Sequence, residues 1–185
     1  MLFRSWRLDV VTRRVDGACD VGEALERLRE GRLGVRERHA LFRATGALLR
    51  DLHRLGLLHA DPTPRNLLVE FDTLASDGPR VWILDLDRAA FHASLDDADR
   101  RRNLRRLLRA TLRRESRGRP FLARTDFARF LRAYDPEGGR WRADWRAIVA
   151  DHRRARPLHG AGWMLEQLFG GGPQTRDGAA VVRRE

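Results

Sequence analysis

Asp61 and Asn66 stand five residues apart in the stretch His59-Ala60-Asp61-Pro62-Thr63-Pro64-Arg65-Asn66, and Asp85 closes the apolar run Val81-Trp82-Ile83-Leu84. Two prolines within three residues forbid a regular helix or a central strand there, so an irregular loop carries Asp61 and Asn66. A carboxylate on such a loop can orient an alcohol and take its proton. A carboxamide oxygen and a second carboxylate are hard donors of the kind Mg²⁺ prefers. Together these are the needs of phosphoryl transfer from ATP to a hydroxyl, where positioning and charge neutralisation lower the barrier.

Order adds to residue type. H-x-D-x-x-x-x-N, followed by the apolar Leu67-Leu68-Val69 and then by an Asp at the next strand end, is the catalytic-loop pattern of kinases. Either half alone is weak, since an Asp after an apolar run is most often a turn cap. The ordered combination points to Asp61 as the base beside the acceptor hydroxyl and to Asn66 and Asp85 as Mg²⁺ ligands. His59 is read as support for the loop backbone rather than as a proton acceptor.

The elements that must position these groups are legible around them. Residues Trp6 to Val15 read as a strand. Asp20, with Glu23 three residues on, reads as a capping box opening a helix that Gly31 and Gly34 end. A longer helix runs from about Val35 to Leu55, with Leu41, Ala44, Leu48, Leu52 and Leu55 as its inward stripe and Gly56 as its C-terminal cap. The runs 67–69 and 81–84, separated by Ser76-Asp77-Gly78-Pro79, form a short hairpin. Ser94 opens a helix to about Arg117, with Leu95, Ala98, Leu104, Leu107, Leu108 and Leu112 inward; Thr125 opens another, and Trp141 to His152 is the last. From Gly170 the periodicity stops, which reads as a mobile tail. The fold class is α+β, with residues 1–19 as a leading strand and hinge, 20–169 as a mostly helical lobe and 170–185 as the tail.

The charge balance is lopsided. The net charge is +11, and all 37 Lys+Arg residues are Arg. A GC-rich genome accounts for Arg in place of Lys but not for the excess of positive charge, which attracts phosphate. With no Lys, a P-loop Lys, a kinase-type ATP Lys and a Schiff-base Lys are all excluded. A single cysteine, Cys19, excludes an internal disulfide and a cysteine-based zinc cage. No apolar run reaches the roughly 18 residues of a membrane span, and the N-terminal stretch lacks a signal-peptide pattern, so the expected location is cytoplasmic. Arg100, Arg101, Arg102, Arg105, Arg106, Arg109, Arg113 and Arg114 crowd one helix, 100–117, read either as a solvated face or as a docking face for anionic lipid or sugar phosphates. Nucleic acid is disfavoured because no aromatics interleave the arginines.

At three stretches the chain resembles the lipopolysaccharide kinases that act on Kdo (3-deoxy-D-manno-octulosonic acid) or heptose of the inner core. They are Leu52 to Asp61 with Asn66-Leu67-Leu68; Trp82 to Arg88, where Asp87 replaces the kinase Gly as in the Asp-Phe-Asp of Kdo kinases; and Asn103-Leu104-Arg105-Arg106-Leu107-Leu108-Arg109. Val10 to Ala18 is similar to their strand leading into the interlobe hinge. The resemblance covers roughly residues 8 to 115. It implies a protein-kinase-like fold: a mostly helical C-lobe, a remnant N-lobe strand and a short β-hairpin at the catalytic site. It also implies ATP and Mg²⁺, a Kdo- or heptose-containing lipid A core precursor as partner, and a place at the inner face of the inner membrane. Asp61 is then the base, Asn66 and Asp85 the metal ligands, and Thr12, Arg13 and Arg14 hinge residues beside the nucleotide, with His59, Arg65 and Asp87 in support.

Departures qualify the likeness. Pro62 stands where these kinases usually have Leu. His-Ala-Asp-Pro is also similar to atypical kinases linked to ubiquinone synthesis, but their Lys-x-Gly-Gln signature is absent. Neither a Gly-rich loop nor an ATP Lys occurs, which favours a truncated gene model over a degenerate relative and predicts weak nucleotide binding by these 185 residues. Two rivals stay open: a small-molecule phosphotransferase of the aminoglycoside or choline type, and an inactive kinase-derived binding protein.

Overall fold

The computed structural model describes residues 14–71, 78–115 and 121–154. Most of the expected strand Trp6–Val15, the Ser76-Asp77 part of the turn, residues 116–117 of the arginine-rich helix and the stretch from Gly170 lie outside these residues. Arg14 and Val15 are described and lie in no strand.

Strand β1 (Ala18–Asp20) runs directly into helix α1 (Val21–Arg29). Asp20 has extended backbone, and its Oδ1 accepts the Glu23 N–H at 2.8 Å, meeting one of the unpaired donors at the helix start. Only half of the expected capping box forms, because the Glu23 carboxylate turns to Arg27 one helical turn on, at 2.7 Å. Helix α2 (Val35–Arg54) follows, its first turn closed by Glu37, which accepts the Gly34 N–H at 2.7 Å.

The buried face of α2 is rotated from the expected one. Leu41, Phe42, Thr45, Gly46, Leu49 and His53 are buried. Ala44, Leu48 and Leu52 are only half-buried, and Leu55, at the C-cap, is 70% exposed. Counting apolar residues alone misplaced the stripe, because three positions on the true face are not apolar side chains. Thr45 donates its hydroxyl to Leu41 O at 2.8 Å, His53 is hydrogen-bonded, and Gly46 lets another helix approach. A Cβ at Gly46 would lie 2.2 Å from Phe130 O. Helix α4 (Arg124–Tyr134) rests there.

After α2 come β2 (Leu57–Leu58), a single 3₁₀ turn (Pro64–Asn66), β3 (Leu67–Glu70) and β4 (Arg80–Ile83). β3 and β4 form the expected hairpin, paired Leu67 to Ile83, Leu68 to Trp82 and Val69 to Val81. β1 joins the other edge of β3, giving an antiparallel sheet of order β1-β3-β4. Leu67 and Val69 alternate inward and are fully buried in one core with Leu25, Leu41, Leu49 and Leu104. A second, two-residue ladder pairs β2 with β5 (Ala90–Phe91). Sequence patterning did not foresee β5, since two residues show no period.

Helix α3 spans Asp97–Glu115. The start expected at Ser94 is corrected: Asp96 Oδ1 accepts the Asp99 N–H at 2.7 Å, so a carboxylate two residues later takes the capping place. Leu95 is buried as expected, whereas Ala98 is exposed. Thr125 likewise lies inside the first turn of α4, whose Asp126 carboxylate accepts the Ala123 N–H at 2.7 Å. Asp126 is fully buried and also holds Arg38 of α2, whose Nε donates to it at 2.9 Å. Helix α5 (Trp141–Arg154) completes the described chain.

Candidate active site

His59 organises the loop. Only 2% exposed, its ring accepts the Asp61 N–H at Nδ1 (3.0 Å) and donates from Nε2 to Leu84 O (2.8 Å). Acceptance at Nδ1 fixes the neutral Nε2–H tautomer for this geometry. One imidazole therefore fastens the residue carrying the first carboxylate to the strand end that precedes the second. Both bonds go to backbone groups, one in the loop and one at the strand end.

Asn66 ties the same two segments. Its Nδ2 donates to Asp61 O at 2.8 Å, and its own carbonyl accepts the Leu84 N–H at 2.8 Å. Thr63 N–H also donates to Asp61 O, at 2.8 Å, closing the loop on itself. Asp61, Asn66 and Asp85 are thus gathered on one bonded framework. The Asp61 side chain is exposed.

Asp85 has φ +60, the left-handed region that few residues other than Gly, Asn and Asp enter. Its carboxyl is hydrogen-bonded to that of Asp87, and this bond with the neighbouring negative charge holds Asp85 above the usual carboxylate range; Asp87, receiving the bond, is lowered. Two exposed carboxyls crowded together, beside a residue offering an amide oxygen, fit a divalent hard cation: its charge would relieve their repulsion, and all the donors are oxygen. Among the described residues no group of three His, Cys, Asp or Glu side chains forms a protein-only cage. A Mg²⁺ sharing its shell with phosphate oxygens and water needs none.

Helix α3 grips the loop from behind. Asn103 Nδ2 donates to His59 O at 2.7 Å, and Arg106, one turn on along the same face, donates to Ala60 O. Two successive carbonyls ahead of Asp61 are thereby held. Resemblance alone had marked the Asn103–Arg109 segment; the clamp gives its Asn and Arg a physical reason. Other arginines of α3 are bound within the fold: Arg100 donates to Leu95 O at 2.8 Å, Arg101 meets Asp144 at 3.6 Å, and Arg102 meets Asp99 at 2.8 Å. Arg109 and Arg113 are exposed.

The remaining expected site residues divide. Arg65 is exposed on the 3₁₀ turn next to Asn66, and Asp87 lies against Asp85. Thr12 and Arg13 lie outside the described residues. Arg14 is exposed and meets Asp16 at 3.3 Å. Among the described residues no helix is long and apolar enough to cross a membrane.

The model of the "Lipopolysaccharide kinase (Kdo/WaaP) family" matches residues 2–134. The 3-deoxy-D-manno-octulosonic acid kinase of Stenotrophomonas maltophilia (strain K279a) is 32% identical over 130 residues, covering 70% of this chain and 46% of that protein. The enzyme of the same description from Xanthomonas euvesicatoria pv. vesicatoria (strain 85-10) is 39% identical over 104 residues, covering 56% of this chain and 39% of that protein. The chain thus spans less than half the length of these curated relatives. A solved structure of WaaP in complex with acyl carrier protein matches with a TM-score of 0.62 and 25% identity, over 84% of this chain and 59% of that one. The expected α+β, protein-kinase-like architecture is borne out by this likeness.

Proposed function

Because the chain belongs to the lipopolysaccharide kinase (Kdo/WaaP) family, we propose that it carries the catalytic loop of an ATP-dependent kinase acting on a sugar hydroxyl, Kdo or heptose, of the lipopolysaccharide inner core. The observation that carries this reading is the His59 staple, which ties Asp61 to the strand end before Asp85. Kinase chemistry needs an acceptor-side carboxylate and a metal-side carboxylate at one cleft, and that bond pattern supports it.

In this reading Asp61 orients the acceptor hydroxyl and takes its proton as the oxygen bonds to the γ-phosphorus. The β–γ bridging oxygen departs with ADP, and the proton passes from Asp61 to solvent. Asn66, through its carboxamide oxygen, and Asp85, with Asp87 beside it, would hold Mg²⁺. Bound there, Mg²⁺ supplies neutralisation of the phosphate charge. His59, Asn103 and Arg106 keep the loop in place by their bonds to its backbone. The likeness to 3-deoxy-D-manno-octulosonic acid kinases favours Kdo over heptose. The exposed Arg109 and Arg113 suit the anionic surface where a lipid-linked acceptor resides, so we place the protein at the cytoplasmic face of the inner membrane as a peripheral partner.

The test is phosphate transfer from ATP to a Kdo–lipid A acceptor, run beside aminoglycoside and choline acceptors, with nucleotide binding followed separately. Asp61→Asn removes the base and keeps the shape, so turnover should fall by about 10²–10⁴-fold while ATP still binds. Asp85→Asn removes an anionic metal ligand, so nucleotide affinity and turnover should fall together, with partial recovery at high Mg²⁺. Wild-type turnover in Asp61→Asn would rule out the role given to it. Transfer only to the small acceptors would replace the lipopolysaccharide reading by the second one.

A further inference from the structure

We propose that His53 and Tyr134 are positioning residues that set the orientation of the catalytic loop through the side chain of Asn103. They lie on α2 and α4, away from the reacting groups. The Tyr134 hydroxyl and His53 Nδ1 are 2.7 Å apart, His53 Nε2 and Asn103 Oδ1 are 3.1 Å apart, and Asn103 Nδ2 donates to His59 O at 2.7 Å. His53 and Asn103 are 5% and 6% exposed, so water does not stand in for these partners.

The chain of bonds has a direction. Asn103 can orient its carboxamide in two ways. In one, Nδ2 meets the His59 carbonyl and Oδ1 meets His53. In the other, two oxygens face each other across the His59 bond. Only the first satisfies both ends, and it requires Nε2 of His53 to donate. That leaves Nδ1 as the acceptor, so the Tyr134 hydroxyl must donate to it. The two rings also meet edge to face, with centroids 5.5 Å apart. Burial holds His53 below the usual imidazole range, opposed in part by its bond to Asn103, which keeps the ring neutral with one donor and one acceptor. The chain ends on the residue whose own ring fixes the Asp61 N–H and the Leu84 carbonyl. Three helices thereby bear on one loop. A side chain at position 53 needed for packing alone would carry no polar atoms, since burying them unpaired is costly.

Only the kinetic consequence rests on the kinase reading; the bonded chain does not. The experiment uses the full chain and three readouts: amide hydrogen exchange at Asp61 without nucleotide, kcat and KM for ATP, and melting temperature. Tyr134→Phe removes one oxygen, and His53→Leu fills the space without bonding. Both should speed exchange at Asp61. Both should lower kcat by about 10-fold to 10²-fold, the scale of a misplacement of about 1 Å, with KM for ATP little changed. His53→Gln restores an N–H near the place of Nε2 and should recover most of both losses. Unchanged Asp61 exchange in a folded Tyr134→Phe would overturn the proposal, even if His53→Leu failed to fold. A fall in melting temperature alone, with kcat intact and no recovery by Gln, would equally reduce the pair to a structural role. Faster Asp61 exchange in Tyr134→Phe, together with wild-type turnover in Asp61→Asn, would keep the positioning chain and remove the kinase reading.

Discussion

One buried imidazole sets an acid limit on the fold. His53 is held below the ordinary His value of about 6.5, first by burial and then by the nearby positive charge of Arg100. As pH falls through about 6.5, the unfolded chain takes up a proton that the folded chain refuses. Stability is therefore fully present above that pH and is lost below it, by at most about 1.4 kcal/mol per pH unit for one proton. His39 is shifted in the same direction, so the difference between wild type and His53→Gln isolates His53. Asp97, lowered by Arg140, adds its own loss only further down, in the carboxylate range. Urea unfolding at pH 7, 6 and 5 should show the wild type losing more stability than His53→Gln across this window; parallel losses would contradict the account. At this scale the sequence was most informative where the chain is irregular. Pro62 and Pro64 announce a loop, and Asp61 and Asn66 stand on it at the spacing of the kinase catalytic-loop pattern. His53 and Tyr134 gave no such signal, because a buried His on a helix looks the same whether it orients something or merely fits.

The helices show why periodicity located elements better than faces. The bounds of α2 lay within one residue of expectation, yet its buried face is centred on Thr45, Gly46 and Leu49. Hydrophobic patterning cannot see a glycine whose function is to let a neighbouring backbone approach. Gly46→Ala should therefore act out of proportion to its single methyl. The added Cβ meets Phe130 O, a backbone atom that cannot swing aside, so α4 must move. Overpacking of this kind costs about 1–3 kcal/mol, and the shift should reach Tyr134, four residues on. Chemical denaturation of Gly46→Ala measures it, with Ala47→Gly, on a half-buried position of the same helix, as the control. A Gly46→Ala protein as stable as wild type would mean that the two helices do not meet so closely. Helix starts were misread for a different reason. Ser94 and Thr125 are good caps by type, but at α3 the carboxylate of Asp96 caps the helix, and at α4 Asp126 in the first turn accepts the N–H of the N-cap Ala123; charged acceptors bind such N–H groups more strongly.

Taken whole, the molecule is strongly cationic, with a net charge of +11. The arginines near the start of α3 serve the fold, through Leu95, Asp144, Asp99 and Ala60. Farther along the helix, Arg109 and Arg113 are exposed. Arg109 and Arg113 stand four residues apart on one face, about 6 Å along the helix axis. Each basic residue near an anionic bilayer contributes about 1 kcal/mol. Replacing both by Gln should weaken binding to phosphatidylglycerol vesicles by about 2 kcal/mol, and about 0.5 M salt should erase most of the difference by screening. Equal sedimentation of wild type and variant with those vesicles would remove this face from membrane docking. Overall charge was legible in the composition; its division between internal pairing and outward display was not, because it depends on which carboxylate or carbonyl each guanidinium meets.

The short ladder between β2 and β5 has a consequence of an entropic kind. Gly56, at φ +76, comes so close to the strand opposite that a Cβ would lie 2.0 Å from His92 O, and its carbonyl accepts the His92 N–H at 2.8 Å. Leu84 is fastened at the other end by His59 and Asn66. The segment carrying Asp85 and Asp87 is therefore a closed loop with both stems tied, although its carboxylates are exposed. A free loop of that length would lose its conformational freedom when a ligand arrived, and affinity would be lower by that amount. Here the chain loses that freedom on folding, and the two ladder residues Ala90 and Phe91 hold in advance the segment proposed to bind the metal.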